Sequence, residues 1–389
     1  MQDVIKTTVT VLTLIGAVLA ALYAYRKQLL DEGTSHRADA TQLTERYTKA
    51  AEQLGHEQAA VRLAGVYAMA RLADDWPEQR QVCVDVLCAY LRMPYEIDTT
   101  APAFRHGERE VRLTIIRTIR DHLQDPTTTN TWCGRNLDFT GATFDGGDFT
   151  RSNFSGGRVS FSGSTFSGGL VDFTRSTFSG GRVSFTRSTF SGALAFFTGS
   201  TFSGGQVYFS GSTFSGGGVS FNDSTFSGGQ VSLSRATFSG GEVYFTGSTF
   251  SDGEISFSGS VFSGSETSFS GSAFSGGQVY FSGAAFSGSE VDFSRSVFSG
   301  SEVGFSRSTY TRGKVDFSNG TFSGGQVDFS SSTFSGGQVP FNNSRFSGGR
   351  VSFSRSTYTS GAVDFGNALV LSTATVHWGP FPPISVNRP

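Results

Sequence analysis

From residue 154 to residue 365, apolar and polar positions alternate on an unbroken beat of twelve. One aromatic column runs from Phe154 through Phe166 and Phe178 to Tyr358, and a second runs from Phe161 to Phe365, interrupted only by Leu233. In the unit "STFSGGRVSFTR", residues two apart fall on one side of an extended backbone. Val159 and Phe161 therefore point one way, and Ser160 and Ser162 the other. This pattern predicts short strands with Val-x-Phe and Ser-x-Phe turned inward and Gly-Gly pairs at the turns. A twelve-residue unit cannot bury its own two rings, so its stability must come from stacked neighbours, as in a solenoid. Disorder, the usual reading of Ser/Gly-rich sequence, does not require two aromatic columns held in register over some 200 residues.

The tract begins on a different beat. In "LDFTGATFDGGDFTRSNFSG", residues 137 to 156, Phe139, Phe144, Phe149 and Phe154 recur every five residues, with a small or apolar residue two places before each. These residues resemble the pentapeptide-repeat family, whose fold is a right-handed β-helix of square cross-section with four pentads to a coil. The twelve-residue unit is then two pentads with a two-residue spacer. The residue before the Val column reads Arg158, Leu170, Arg182, Leu194, an alternation that puts like with like every 24 residues and favours a 24-residue coil over a 12-residue one. By Glu242, Glu254 and Glu266 the alternation is lost. The expected fold is an all-β right-handed quadrilateral β-helix over residues 132–371. A tail or cap follows over 372–389, with Trp378 and Phe381 available to cover the last coil.

Upstream the period changes to that of helices. Leu43, Tyr47, Ala50 and Leu54 share one helical face; Val61, Ala64, Ala68 and Leu72 form a second stripe, with Gly65 small enough for close approach. Val82, Val86 and Tyr90, with Val84, Leu87 and Leu91 beside them, mark a third helix, and Val111, Ile115, Ile119 and Leu123 a fourth. They predict a compact α-helical module over 31–131. Before it, "TTVTVLTLIGAVLAALYAY", residues 7–25, carries no charge and is long enough to span a bilayer, which predicts an N-terminal transmembrane anchor within residues 1–30. The competing reading is a cleaved signal peptide; Leu22 at the would-be cleavage site and Arg26-Lys27 just after it oppose that. The same two charges place the C-terminal part in the cytoplasm, as a single-pass protein of the cell membrane.

Composition adds mainly exclusions. The formal net charge is −2, and the solenoid tract from 154 to 371 holds 12 basic and 12 acidic residues, which weighs against nucleic acid as a partner. Cys83, Cys88 and Cys133 form no C-x-x-C pair and read as reduced, buried thiols. His36, His56, His106, His122 and His377 lack metal-ligand spacing, and no residue stands out as catalytic, cofactor-binding or metal-binding. Arg109, Arg112, Arg117 and Arg120 interleave with Glu108, Glu110 and Asp121, the pattern of a solvated helix face. Glu242, Glu254, Glu266, Glu290 and Glu302 form an outward acidic band without the spaced Asp of calcium-binding solenoids.

"RYTKAAEQLGHEQAAVRLAGVYAMARLADD", "VCVDVLCAYLR" and "LTIIRTI" together resemble the preface of actinomycete membrane-anchored pentapeptide-repeat proteins. That resemblance implies a cytosolic β-helix tethered to the membrane; an anchor joined to a rigid rod without catalytic residues leads from there to a non-enzymatic scaffold without cofactors. It binds the membrane through residues 7–25 and an unidentified protein through its helices or solenoid, with homo-oligomerisation open. Some members of the family protect DNA gyrase by imitating duplex DNA, which requires a strongly acidic rod; the balanced charge of this one makes that the second reading. A third is an ice- or surface-binding solenoid, suggested by the Thr-x-Ser rows at Thr165, Thr177, Thr189, Thr201, Thr213 and Thr225 but broken at Val261, Ala273, Ala285 and Val297.

Overall fold

The computed structural model describes residues 41–384 and the backbone of 386–387. The anchor expected over 7–25 lies outside the described residues; among those described, no helix is long and apolar enough to cross a membrane. The chain divides after Trp76 into two compact units, so the four helices expected as one module fall two in each.

In the first unit, α1 (described over 41–54) and α2 (Ala59–Asp75) pack closely. A Cβ added to Gly65 would stand 2.7 Å from the Leu54 amide nitrogen, so the contact requires glycine. Arg46 and Asp75 close the pair with a 2.6 Å ion pair. Of the expected Val61, Ala64, Ala68 and Leu72 on α2, only Leu72 is buried; the apolar stripe it belongs to is Val66, Met69, Ala70, Leu72 and Ala73. Its helix is apolar almost all round, so periodicity alone leaves the orientation undetermined.

In the second unit, α3 (Arg80–Arg92) and α4 (Glu108–Leu123) precede the solenoid. On α3 the buried apolar residues are Cys83, Val84, Leu87, Cys88, Tyr90 and Leu91, while Val82 faces solvent. On α4 the expected Val111, Ile115, Ile119 and Leu123 are all buried. From Leu137 the chain winds into a parallel β-solenoid of about ten coils. Its register is 24 residues: Val159 pairs with Val183, Thr165 with Thr189, and Leu170 with Leu194. The first step is shorter, Leu137 pairing with Val159 and Thr143 with Thr165, because the strict pentads lack one two-residue spacer, and the register departs from 24 again past the last repeat, where Arg350 pairs with Thr375 and Val370 with Val386. Hydrogen bonding runs through the Gly-Gly spacers, and the strands gather into two sheets of 20 and 16 strands.

Four aromatic columns fill the interior, each ring stacked on its counterpart one coil away: Phe161 on Phe185 at 4.7 Å, Phe166 on Phe190 at 4.5 Å, Phe173 on Phe197 at 4.8 Å, Phe178 on Phe202 at 4.8 Å. The two Val-x-Phe columns also meet edge to face, as Phe161 and Phe173 do at 5.7 Å and 89°, an arrangement that suits the ring quadrupole. The inward Ser column is polar but satisfied from Ser164 onward; Ser152, at its start, is buried with its hydroxyl unpartnered. Ser188 Oγ donates to the Phe161 carbonyl at 2.6 Å, and the Ser188 N–H donates to Ser212 Oγ at 3.1 Å, a pattern repeated up the stack.

Each Val-x-Phe strand ends in a tight turn; Ser188 N–H, for instance, donates to the Phe185 carbonyl at 3.1 Å. The residue just before that Ser is left-handed in coil after coil, whether it is Gly163 (φ 66°), Arg187 (φ 58°), Asp223 (φ 55°) or Asn319 (φ 58°).

At the C-terminal end one sheet is prolonged by Leu369–Leu371, Thr375–His377 and Val386–Asn387. Phe381 then lies across the last rings, 5.3 Å from Phe334 and 5.4 Å from Phe353, and Trp378 meets Phe365 at 5.1 Å. The other sheet stops at Thr357–Asp364, which pairs only backward, with Thr333–Pro340.

Candidate interaction faces and the capped end

The N-terminal end of the solenoid is covered by α3 and α4. A Cβ on Gly147 would touch Ile116 Cδ1 at 3.0 Å, so the first coil accepts the helix only with a bare backbone there. Ionic contacts frame this apolar seat. Arg92 pairs with Asp138, Arg120 pairs with Asp148, and Arg109 Nε donates to Asp145 Oδ2 at 3.0 Å. Tyr95 donates to the same carboxylate at 2.8 Å. Arg112 is buried; it forms an ion pair with Glu108 at 3.7 Å, donates to the Leu91 carbonyl and lies 4.5 Å from the Tyr95 ring centre. Of the four α4 arginines expected on a solvated face, Arg109 and Arg117 are exposed, Arg117 pairing with Glu110 at 2.8 Å, whereas Arg112 is buried and Arg120 largely covered. The aspartates that engage Arg109 and Arg120 lie 36 and 28 residues downstream, beyond the reach of helix-face reasoning.

Electrostatics at this seat follow from the pairing. Burial works against the charged form of Asp148, but the Thr150 amide and hydroxyl and the Arg120 guanidinium outweigh it and hold its carboxyl below the ordinary 3.8. Asp138 behaves alike: burial opposes, while Thr140 and Arg92 prevail. Beside the seat, a groove of about 480 Å³ is lined by Arg109, Glu110, Leu113, Arg117, Asp148 and Leu170. Leu170 is 43% exposed and its ladder partner Leu194 46%.

The outward positions form ladders, and each sequence row divides between the two sheets. Of the acidic band, Glu242, Glu266 and Glu290 stack on one sheet and end against Lys314, while Glu254 and Glu302 stand on the other among Gln230, Gln278 and Gln326. The Thr row splits likewise: Thr165, Thr189 and Thr213 make one ladder, Thr177, Thr201 and Thr225 another. Neither row is a single surface.

Chemistry-bearing residues are dispersed. Cys83 and Cys88 are buried, and loss of hydration pushes their thiols up to about 11 and about 12, where they are poor nucleophiles. Cys133 donates to the Leu123 carbonyl at 3.4 Å. His122 stacks on Trp132 at 4.2 Å, His106 meets Phe104, and His377 accepts a backbone bond from Phe353. Among the described residues no group of His, Cys, Asp and Glu could hold a metal ion; His36 lies outside them.

A family profile for pentapeptide repeats matches residues 133–177 and 185–237, in nine copies. The tract is a pentapeptide-repeat solenoid. A search of curated proteins found no match. The matched segments contain the strict pentads and the first spaced units; beyond 237 the pentapeptide-repeat coils continue with the same 24-residue register, Phe238 stacking on Phe262 at 4.6 Å.

Proposed function

We propose that this chain is a non-enzymatic scaffold, tethered to the cytoplasmic face of a membrane through residues 7–25, whose pentapeptide-repeat solenoid binds another protein through its outward ladders. Right-handed winding with four pentads to a coil is the finer geometry that goes with this reading. One observation carries it: the inward Phe, Val and Ser ladders barely vary, whereas outward positions change character along the rod, from Arg158 and Leu170 to Glu242 and Lys314. A rigid surface with varied outward chemistry and no clustered reactive groups suits recognition.

Affinity capture with the full chain tests the reading. A specific partner should be retained by the native protein and lost when Glu242, Glu266 and Glu290 are changed to Ser together, or when Leu170 and Leu194 are; identical capture by both variants would refute binding through the ladders. Protease added to intact cells should leave the solenoid untouched. Duplex-DNA mimicry predicts inhibition of gyrase supercoiling; with 12 basic residues against 12 acidic in the tract, we expect none.

A further inference from the structure

One ladder near the start of the solenoid carries a charge that no described residue answers. Arg158 pairs in register with Arg182, so two guanidinium groups rise from the same outward position on successive coils, about 4.8 Å apart at the backbone. Among the described strands no other two basic residues meet in this way. Lys314 stands between Glu290 and Gln338, Arg350 between Gln326 and Thr375, and Arg345 between Thr321 and Leu369. Arg158 and Arg182 are both exposed, and neither guanidinium has an ion-pair or hydrogen-bond partner among the described residues. The neighbouring carboxylate, Asp138, in register with Ser160, is taken by Arg92.

Like charges directly opposite in a ladder oppose strand pairing, and Gln in either place would remove the repulsion, as Gln206 and Gln230 do on the next two coils. The surface beside the pair is shaped to receive an anion. A groove of about 210 Å³ is lined by Arg158, Val159, Ser160, Ser162, Arg182 and Ser184, with no carboxylate in its wall. Ser160 Oγ donates to Ser162 Oγ at 3.2 Å, and the Ser162 and Ser184 hydroxyls share a bond at 2.8 Å. Three hydroxyls are thus aligned beside the guanidinium groups, each with a hydrogen free to rotate. The Arg182 guanidinium is itself steadied over the Tyr208 ring, 5.1 Å from its centre.

We propose that this groove binds a dianionic phosphate group, with one guanidinium from each of two coils closing on it and the serine hydroxyls completing the set of donors. Two fixed positive charges match two negative ones. The tetrahedral oxygens can accept a two-pronged contact from each guanidinium, which a single carboxylate cannot do for both. Inorganic phosphate and the headgroup of phosphatidic acid present the same chemistry. The site depends on neither the tether nor a protein partner; it needs only the 24-residue register that stacks Arg182 on Arg158.

Phenylglyoxal labelling of the full chain in non-ionic detergent, read residue by residue by mass spectrometry, tests the site on the unaltered protein, with Arg350 further along the same ladder as internal reference. At about 10 mM, inorganic phosphate should slow the labelling of Arg158 and Arg182 about tenfold, as for a millimolar site, and leave Arg350 unchanged. Arg182→Gln, which puts at this position the residue that Gln206 already supplies one coil on, should abolish the protection of Arg158. Mixed micelles containing phosphatidic acid, with phosphatidylcholine as the control, separate the two sources. Protection there without added phosphate assigns the site to a lipid headgroup; protection by inorganic phosphate alone assigns it to a soluble phosphate. Labelling unaffected by either, equal protection by acetate at matched ionic strength, or protection of Arg158 that survives Arg182→Gln would overturn the proposal.

Discussion

Thr267 occupies the buried Val column, fully shielded, and its Oγ1 has no hydrogen-bond partner. Tyr310 stands in a Phe column, also buried, with its hydroxyl unpartnered; burial pushes that hydroxyl's pKa far up. An unsatisfied buried hydroxyl costs about 1–3 kcal/mol, so Thr267→Val should stabilise the protein by about 1–2 kcal/mol and Tyr310→Phe by about 1 kcal/mol, seen as raised melting temperatures. Two glycines with similar positive φ make a second comparison. A Cβ on Gly217 (φ 76°) would lie 2.1 Å from the Ala193 carbonyl oxygen, whereas one on Gly163 (φ 66°) meets nothing within 4 Å. Gly163→Ala carries only the left-handed penalty of about 1 kcal/mol. Gly217→Ala must also push two coils apart, and should lower the melting temperature several-fold more.

At the scale of elements, the seat of α3 and α4 on the first coil joins an apolar contact to three Arg–Asp pairs. Because the Asp138 and Asp148 carboxyls are depressed below 3.8 in the folded protein, their contribution is complete above that value and fades as pH falls through the folded pKa. Thermal stability should therefore be flat from neutral pH to about 5 and decline below about 4. Tryptophan fluorescence of a Trp76→Phe, Trp378→Phe variant checks the site of the change, since the remaining Trp132 is buried beside α4 against His122. Arg120→Ala should make the change in emission begin at higher pH; an unchanged acid profile would show that the pair does not hold the seat.

At the scale of the whole molecule, core and surface have different periods. The core repeats every twelve residues, while like outward residues meet only every 24, as Leu170 meets Leu194. Deleting 201–224 should preserve both the fold and the assignment of later residues to their sheets. Deleting 201–212 should leave the aromatic columns intact yet transfer Glu242, Glu266 and Glu290 to the opposite side of the rod. Far-UV circular dichroism should remain strand-like in both. Partner capture should survive the 24-residue deletion better than the 12-residue one, and equal loss in both would argue against recognition by ladders.

The sequence by itself determined the aromatic columns, the inward Ser and Val, and, through the alternation of Arg158 and Leu170, the 24-residue coil. These follow from side-chain alternation and stacking, which neighbours in sequence largely specify. It also read α4 correctly, where apolar residues fall on one face, but not α2, which is apolar almost all round. The left-handed residue of each turn escaped notice because Arg, Gly, Asn and Asp share it without a common signature. Only the tertiary structure paired Arg120 with Asp148 and split the Glu and Thr rows between two sheets, because these contacts depend on how the chain returns on itself. The sharpest contrast is between "TYTRGKVD" at 309–316 and "TYTSGAVD" at 357–364. The two segments read almost alike, yet Tyr310 is buried beneath the next coil and Tyr358 stands at an open edge. Local sequence specifies the strand; position in the stack decides whether its hydrogen bonds are satisfied within the chain.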